Sequence, residues 1–324
     1  MFPDHEPTSD ESGNHISTLM PAFDYEELAP AELLRPPPQR VLDGCLSHLN
    51  LSYASPLGWR PLLLDVHLPE GAKGPYPAVV YVHGGSFLGG IKAMGPWQSL
   101  PAQGIAVVSV SYRLSGEAHF PDPVEDIRAA VRWTRRNAEA FNLDANAIAL
   151  WGSSAGAYLA SMAAVSGELP LSRPIGDDLD TPTHVSAVVN HYGISDFAKL
   201  SEDAFENTDH EKEALARIIR QFLGFDPMKD PERATQATPL QVAWERGDSP
   251  PFLFMHGDAD HRVGLGQSIR FHEGLLGLGR SSTLVTLAGA EHGDQVFSRR
   301  ETVQQAITFL RASWADTSTR APRD

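Results

Sequence analysis

One cysteine, Cys45, among 324 residues rules out an internal disulfide, so any fold must be held by its own apolar core. Basic residues are scarce as well: 26 Lys and Arg against 41 Asp and Glu leave a formal charge of −15 at pH 7. That excess disfavours nucleic acid and anionic lipid as partners, both being polyanions, and favours a neutral or cationic substrate. No window approaches the roughly 18 consecutive apolar residues of a membrane span. Met1 to Ser17 has neither a basic leader nor an apolar stretch, so no signal peptide is visible and the cytoplasm is the expected compartment. Histidine is plentiful at 13, yet no H-E-x-x-H and no paired Cys/His spacing occurs, so neither a metal nor another cofactor is expected. No repeat is present.

What remains is an ordinary globular composition, 42% apolar and 21% charged, enough for one large core. Residues 1–43 read as an N-terminal extension, polar at first, with a helix-like stretch from Tyr25 to Leu34 that Pro36-Pro37-Pro38 must end. It is expected to be partly disordered or to form part of a cap. From residue 44 the pattern turns regular. Leu62 to Leu68, Ala78 to Val82, Ile105 to Val110 and Ala147 to Trp151 read as strands, followed later by Val185 to His191, Pro251 to Met255 and Ser282 to Leu287. Helical spacing occupies Pro123 to Phe141, Ala155 to Val165, Leu265 to Leu276 and Val296 to Ser313. Apolar strands alternating with helices predict an α/β fold, a mostly parallel sheet covered on both faces, over residues 44–318. Between about 195 and 247 the alternation loosens around one good helix, Glu211 to Leu223, as expected of an inserted helical cap. Residues 319–324 are a tail.

Four polar groups follow predicted strands, at the edge where such sheets build sites. The first is Gly152-Ser153-Ser154-Ala155-Gly156, a G-x-S-x-G string between a strand and a small-residue helix. A serine at its centre sits on a tight turn that flanking glycines let the chain pass, which exposes the hydroxyl as a nucleophile. The second is His83-Gly84-Gly85-Ser86-Phe87. Acyl transfer puts negative charge on a carbonyl oxygen, and glycines after a strand expose backbone N–H groups to meet it. The expected donors are Gly85, Ser86 and Ala155, with Gly84 shaping the turn. The third requirement is a base and an acid, in the chain order Ser, Asp, His. His256-Gly257-Asp258-Ala259-Asp260 and Gly289-Ala290-Glu291-His292-Gly293 supply them, with Asp260 favoured over Asp258 and His292 as the base. His256 and His261 read as supports of the turn, and His83 as a brace of the oxyanion loop. Glu125 and Asp126 read as structural acids at a helix start. Trp97, Phe87, Tyr192 and Phe197 are open between pocket lining and core.

These stretches resemble the α/β-hydrolase esterases related to hormone-sensitive lipase. Within them the sequence is most similar to the bacterial bifunctional feruloyl and acetyl-xylan esterase-like proteins. The likeness extends through Ser111-Tyr112-Arg113-Leu114, Phe120-Pro121 and Glu125 to Trp133, and spans residues 78 to 297. It implies nucleophile Ser154, acid Asp260 and base His292, and a cofactor-free carboxylic ester hydrolase acting on a small or aryl ester. Ser86 stands where the family has a third oxyanion glycine, which keeps the N–H and adds a side chain. The secreted members carry signal peptides, so a small intracellular ester is expected here in preference to polymeric xylan. An amidase-type hydrolase (arylformamidase or small-peptide hydrolase) would use the same residues. A non-catalytic ligand-binding protein of this fold would be expected to have lost one of them. Oligomeric state is open, a homodimer included.

Overall fold

The computed structural model describes residues 37–56, 60–71, 73–177, 179–205 and 207–319. The helix-like stretch from Tyr25 to Leu34 lies outside the described residues. The strands are β1 (Gln39–Leu42), β2 (Cys45–Ala54), β3 (Leu62–Pro69), β4 (Tyr76–Val82), β5 (Ala106–Val110), β6 (Leu143–Ser153), β7 (Val188–His191), β8 (Phe252–Gly257) and β9 (Ser282–Leu287). They form one nine-stranded sheet in the order β1-β2-β3-β5-β4-β6-β7-β8-β9. β1, β2 and β3 join antiparallel, β3 pairs β5 antiparallel, and every pairing from β5 through β9 is parallel.

Alternation along the central strands divides the interior in two. On β4, Val80 and Val82 face one core while Val79 and Tyr81 face the other. Both faces being covered explains why β4, β5 and β8 read as continuous apolar runs, not as alternating ones. One face is packed by α1 (Asp122–Arg136), α2 (Ala155–Ser166) and α7 (Gly266–Gly277), and the other by α8 (Arg300–Thr319). α2 is buried along its whole length, and Ala157, Ala160 and Ala163 let it lie close to the sheet. α1 stops at Arg136, short of the expected Phe141, because Asn137 caps it and the chain turns through Asn142 at φ 53°. The expected closing helix is two pieces, a 3-10 turn at Gln295–Ser298 and then α8.

Between β7 and β8 the loose region holds α3 (Leu200–Asp203), α4 (Asp209–Leu223), α5 (Pro231–Gln236) and α6 (Pro239–Arg246). α4 starts at a capping box: Thr208 Oγ1 accepts from Glu211 N at 3.3 Å and Glu211 Oε2 accepts from Thr208 N at 2.8 Å. It ends by burying Phe222 and Leu223 in the main core. Glu125 and Asp126 prove structural, for a reason other than the helix dipole: both are buried, Asp126 against Arg113 (2.6 Å) and Glu125 against Arg132.

Candidate active site

All the polar groups singled out above collect along the carboxyl edge of the parallel strands. Ser154 follows β6 directly and adopts φ 54°, ψ −120°, a left-handed turn that few non-glycine residues occupy. Its N–H donates to the His191 carbonyl at 2.9 Å, which pins the turn to the end of β7. The flanking glycines are steric necessities, since a Cβ on Gly152 would run into the Gly156 carbonyl and one on Gly156 into the Val82 carbonyl. The strand and helix therefore cross closely, and the serine is left at the crest.

Ser154 Oγ lies 2.9 Å from His292 Nε2, and His292 Nδ1 lies 2.7 Å from Asp260 Oδ2. Nδ1 facing a carboxylate must carry the proton, so in the neutral ring Nε2 is free to accept from the hydroxyl. The loop after β8 supplies Asp260, fully buried, whose Oδ1 accepts from the backbone N–H groups of Arg262 (3.0 Å) and Val263 (2.9 Å). Burial by itself would raise its pKa. Hydrogen bonds from His256 and His292, the charge of His292 and the Val263 N–H outweigh that and hold the carboxyl well below the usual carboxylate range. Asp258 turns elsewhere, its Oδ1 accepting from Gly289 N at 2.6 Å, so it ties the acid loop to the histidine loop and leaves His292 to Asp260.

The glycine loop after β4 runs beside the serine. A Cβ on Gly84 would sit 2.8 Å from the Ser153 carbonyl oxygen and 3.3 Å from Ser154 Cβ. Gly85, Ser86 and Phe87 all have positive φ, at 126°, 56° and 61°. Among the described residues, the N–H groups of Gly85, Ser86 and Ala155 have no hydrogen-bond partner. His83 braces the loop: Nδ1 donates to the Gly84 carbonyl (2.7 Å), and the His83 carbonyl accepts from the Tyr112 hydroxyl (3.0 Å). Burial pushes the His83 ring down, keeping it neutral.

The four aromatic residues separate. Trp97 packs against His67 in the far core. Phe87 stacks on Phe222 of α4 at 3.7 Å, and Phe197 meets Tyr158 at 4.8 Å, so both belong to the main core. Of the four only Tyr192 reaches the site, its ring centroid 4.8 Å from that of His292 in an edge-on arrangement. Behind it His191 is buried among Trp151, Tyr192 and Phe297, and burial pushes its ring down to about 3. No group of His, Cys, Asp and Glu among the described residues is arranged to hold a metal ion, and no helix among them is long and apolar enough to cross a membrane.

Comparison with known proteins gives the family. Residues 64–275 match the family model described as BD-FAE. The chain is 32% identical to Esterase LipC of Mycobacterium tuberculosis over 228 residues, 68% of this chain and 53% of that protein. It is 29% identical to the isoprenylcysteine alpha-carbonyl methylesterase ICME of Arabidopsis thaliana over 241 residues, 71% of this chain and 53% of that one. It thus spans about half the length of these curated relatives. Among solved structures, a truncated carbohydrate esterase from gut microbiota superposes with a TM-score of 0.73 at 27% identity, over 82% of this chain and 95% of that one. A propionate-bound esterase of Thermogutta terrifontis, 22% identical and covering 87% of this chain and 97% of that one, shares the fold at a TM-score of 0.65.

Proposed function

Because the chain belongs to the BD-FAE family, α/β-hydrolase in fold, we propose that it is a serine carboxylic ester hydrolase acting on a small or aryl ester through an acyl-enzyme. The observation that carries the reading is the unbroken line Ser154 Oγ–His292 Nε2 and His292 Nδ1–Asp260 Oδ2, at 2.9 and 2.7 Å. Ser154 Oγ attacks the ester carbonyl carbon while its proton passes to His292 Nε2. The carbonyl electron pair moves onto oxygen, where the N–H groups of Gly85, Ser86 and Ala155 meet it. When the tetrahedral adduct collapses, the bond to the alcohol breaks and His292 returns its proton to the leaving oxygen. Water, deprotonated by the same nitrogen, then attacks the acyl-enzyme and frees the acid. Asp260 stabilises the imidazolium formed in each half without itself becoming protonated.

The test is hydrolysis of p-nitrophenyl esters from acetate to decanoate, and of a feruloyl ester, by the wild type and Ser154→Ala. We expect turnover that the substitution lowers by about 10⁴-fold or more in a protein that still folds. A folded Ser154→Ala protein of full activity would overturn the assignment.

A further inference from the structure

His256 is the penultimate residue of β8 and fully buried. Its Nε2 lies 2.6 Å from the Val263 carbonyl oxygen and 3.2 Å from Asp260 Oδ2. Both partners only accept, so Nε2 must carry a hydrogen; it points that hydrogen mainly at the Val263 carbonyl, with Asp260 Oδ2 as a longer second acceptor. In the neutral ring Nδ1 then has a lone pair, and it accepts from the Ser268 hydroxyl of α7 at 2.7 Å. The ring thereby joins the end of β8, the acid loop and the start of α7. Counted around Asp260, Oδ1 holds the Arg262 and Val263 N–H groups and Oδ2 holds His292 and His256. Three hydrogen bonds and the longer His256 contact thus surround the carboxylate and resist its rotation away from His292.

We propose that His256 is a positioning residue for this reaction, which fixes the Asp260 carboxylate against His292 by donating to the oxygen that His292 also uses. This rests on the ester-hydrolase reading above. His256 has two effects of opposite sense. It holds the carboxylate in line, which favours turnover. It also takes part of the negative charge of Oδ2, which keeps that charge from over-stabilising protonated His292 and blocking its role as a base. The titratable groups around the carboxylate are His292 from the loop after β9, Tyr192 from the end of β7 and His256 itself, while α7 contributes the neutral Ser268.

Two amides separate positioning from mere support. Gln places its NH2 near the position of Nε2, and Asn places its own near Nδ1. His256→Gln therefore keeps the donor to Asp260 and weakens the link to Ser268, whereas His256→Asn does the reverse. We expect His256→Asn to lower kcat about tenfold, in the range lost when outer-shell partners are removed, with KM unchanged within about twofold. The acid limb of its kcat/KM profile should move to higher pH. His256→Gln should recover most of kcat and the wild-type limb. Ser268→Ala, which leaves the Nε2 donor in place, should lower Tm and leave the profile unmoved. Equal losses in the two amide variants with no movement of the acid limb would make His256 structural only and overturn the proposal. A wild type inactive on every ester would instead defeat the ester reading. The low-field proton resonance of the His292–Asp260 bond, which needs no substrate, then decides the positioning role. It should shift in His256→Asn and not in His256→Gln, and an unmoved resonance in both would refute it. If His256→Asn does not fold, the profiles and resonance of His256→Gln and Ser268→Ala must still match the wild type, or the proposal fails.

Discussion

Gly84 and Ser86 put the glycine loop after β4 under opposite constraints, although they are separated by a single residue. Gly84 lies against the backbone of the Ser154 turn, and a methyl group there would meet the Ser153 carbonyl oxygen at 2.8 Å. Gly84→Ala should therefore push the loop off the serine. A loss in kcat of about 10²-fold, comparable to removing an oxyanion donor, is expected in p-nitrophenyl acetate hydrolysis, with circular dichroism unchanged. At Ser86 the backbone sits at φ 56°, where a side chain costs roughly 1 kcal/mol that glycine does not incur. Ser86→Gly should raise the urea midpoint slightly, by less than that amount once the freedom glycine gains in the unfolded chain is subtracted. A lowered midpoint would mean that the serine hydroxyl contributes binding that outweighs the strain.

At the scale of elements, α4 is fastened at both ends by different physics. Its first turn depends on the Thr208–Glu211 box, on the surface, where loss of a cap costs about 1 kcal/mol. Its last turn depends on Phe222, fully buried and stacked on Phe87 of the glycine loop after β4. Thr208→Ala should thus reduce unfolding free energy by about 1 kcal/mol, and Phe222→Ala by about 3 to 5 kcal/mol, both read from urea titrations. Because Phe222 touches the loop that carries Gly85 and Ser86, its removal should also reduce kcat, while Thr208→Ala should not. Equal effects of the two on activity would show that the inserted helices are not mechanically linked to the loop.

Across the whole molecule, acid should be the condition that undoes the fold. His191 is held neutral by burial, with its ring pushed down to about 3, and His67, buried beside Trp97, is pushed down to about 4 for the same reason. In the unfolded chain each takes up a proton near pH 6.5. Below that value the unfolded state binds more protons, so stability falls as pH drops from 6.5 toward 3, by at most about 1.4 kcal/mol per pH unit for each group. Asp260, depressed in the folded state, adds a further loss as pH falls below the ordinary carboxylate range. His191→Leu removes one of these protonations and should flatten the decline. Urea midpoints at pH 7 and pH 5 would show a smaller difference in the variant, and an unchanged difference would remove His191 from the account.

Strand-helix alternation, the parallel core and the four polar groups at strand ends were legible because each depends on short-range pattern: apolar runs where both faces are covered, small residues where chains cross, and glycine where no Cβ fits. The G-x-S-x-G string and the Ser, Asp, His order pointed to residues that the fold brings within hydrogen-bond reach. β1, four residues at the sheet edge, and the short helices α3, α5 and α6 were not legible, since such pieces carry too few residues to establish a period, and β2 shifts its register between His48 and Leu51. Pairings between distant residues were hidden as well. Phe87 and Phe197 could have lined a pocket or a core until α4 closed over them, and nothing local says that Tyr192 reaches His292. His256 read as a support of its turn, and only the return of the acid loop put its Nε2 beside Asp260. By itself the sequence determined which side chains stand at the strand ends, because periodicity and steric fit are local. Tertiary structure alone decided which of them share a proton, because a hydrogen bond needs its partners about 3 Å apart and only the closed sheet brings together loops so distant in the chain.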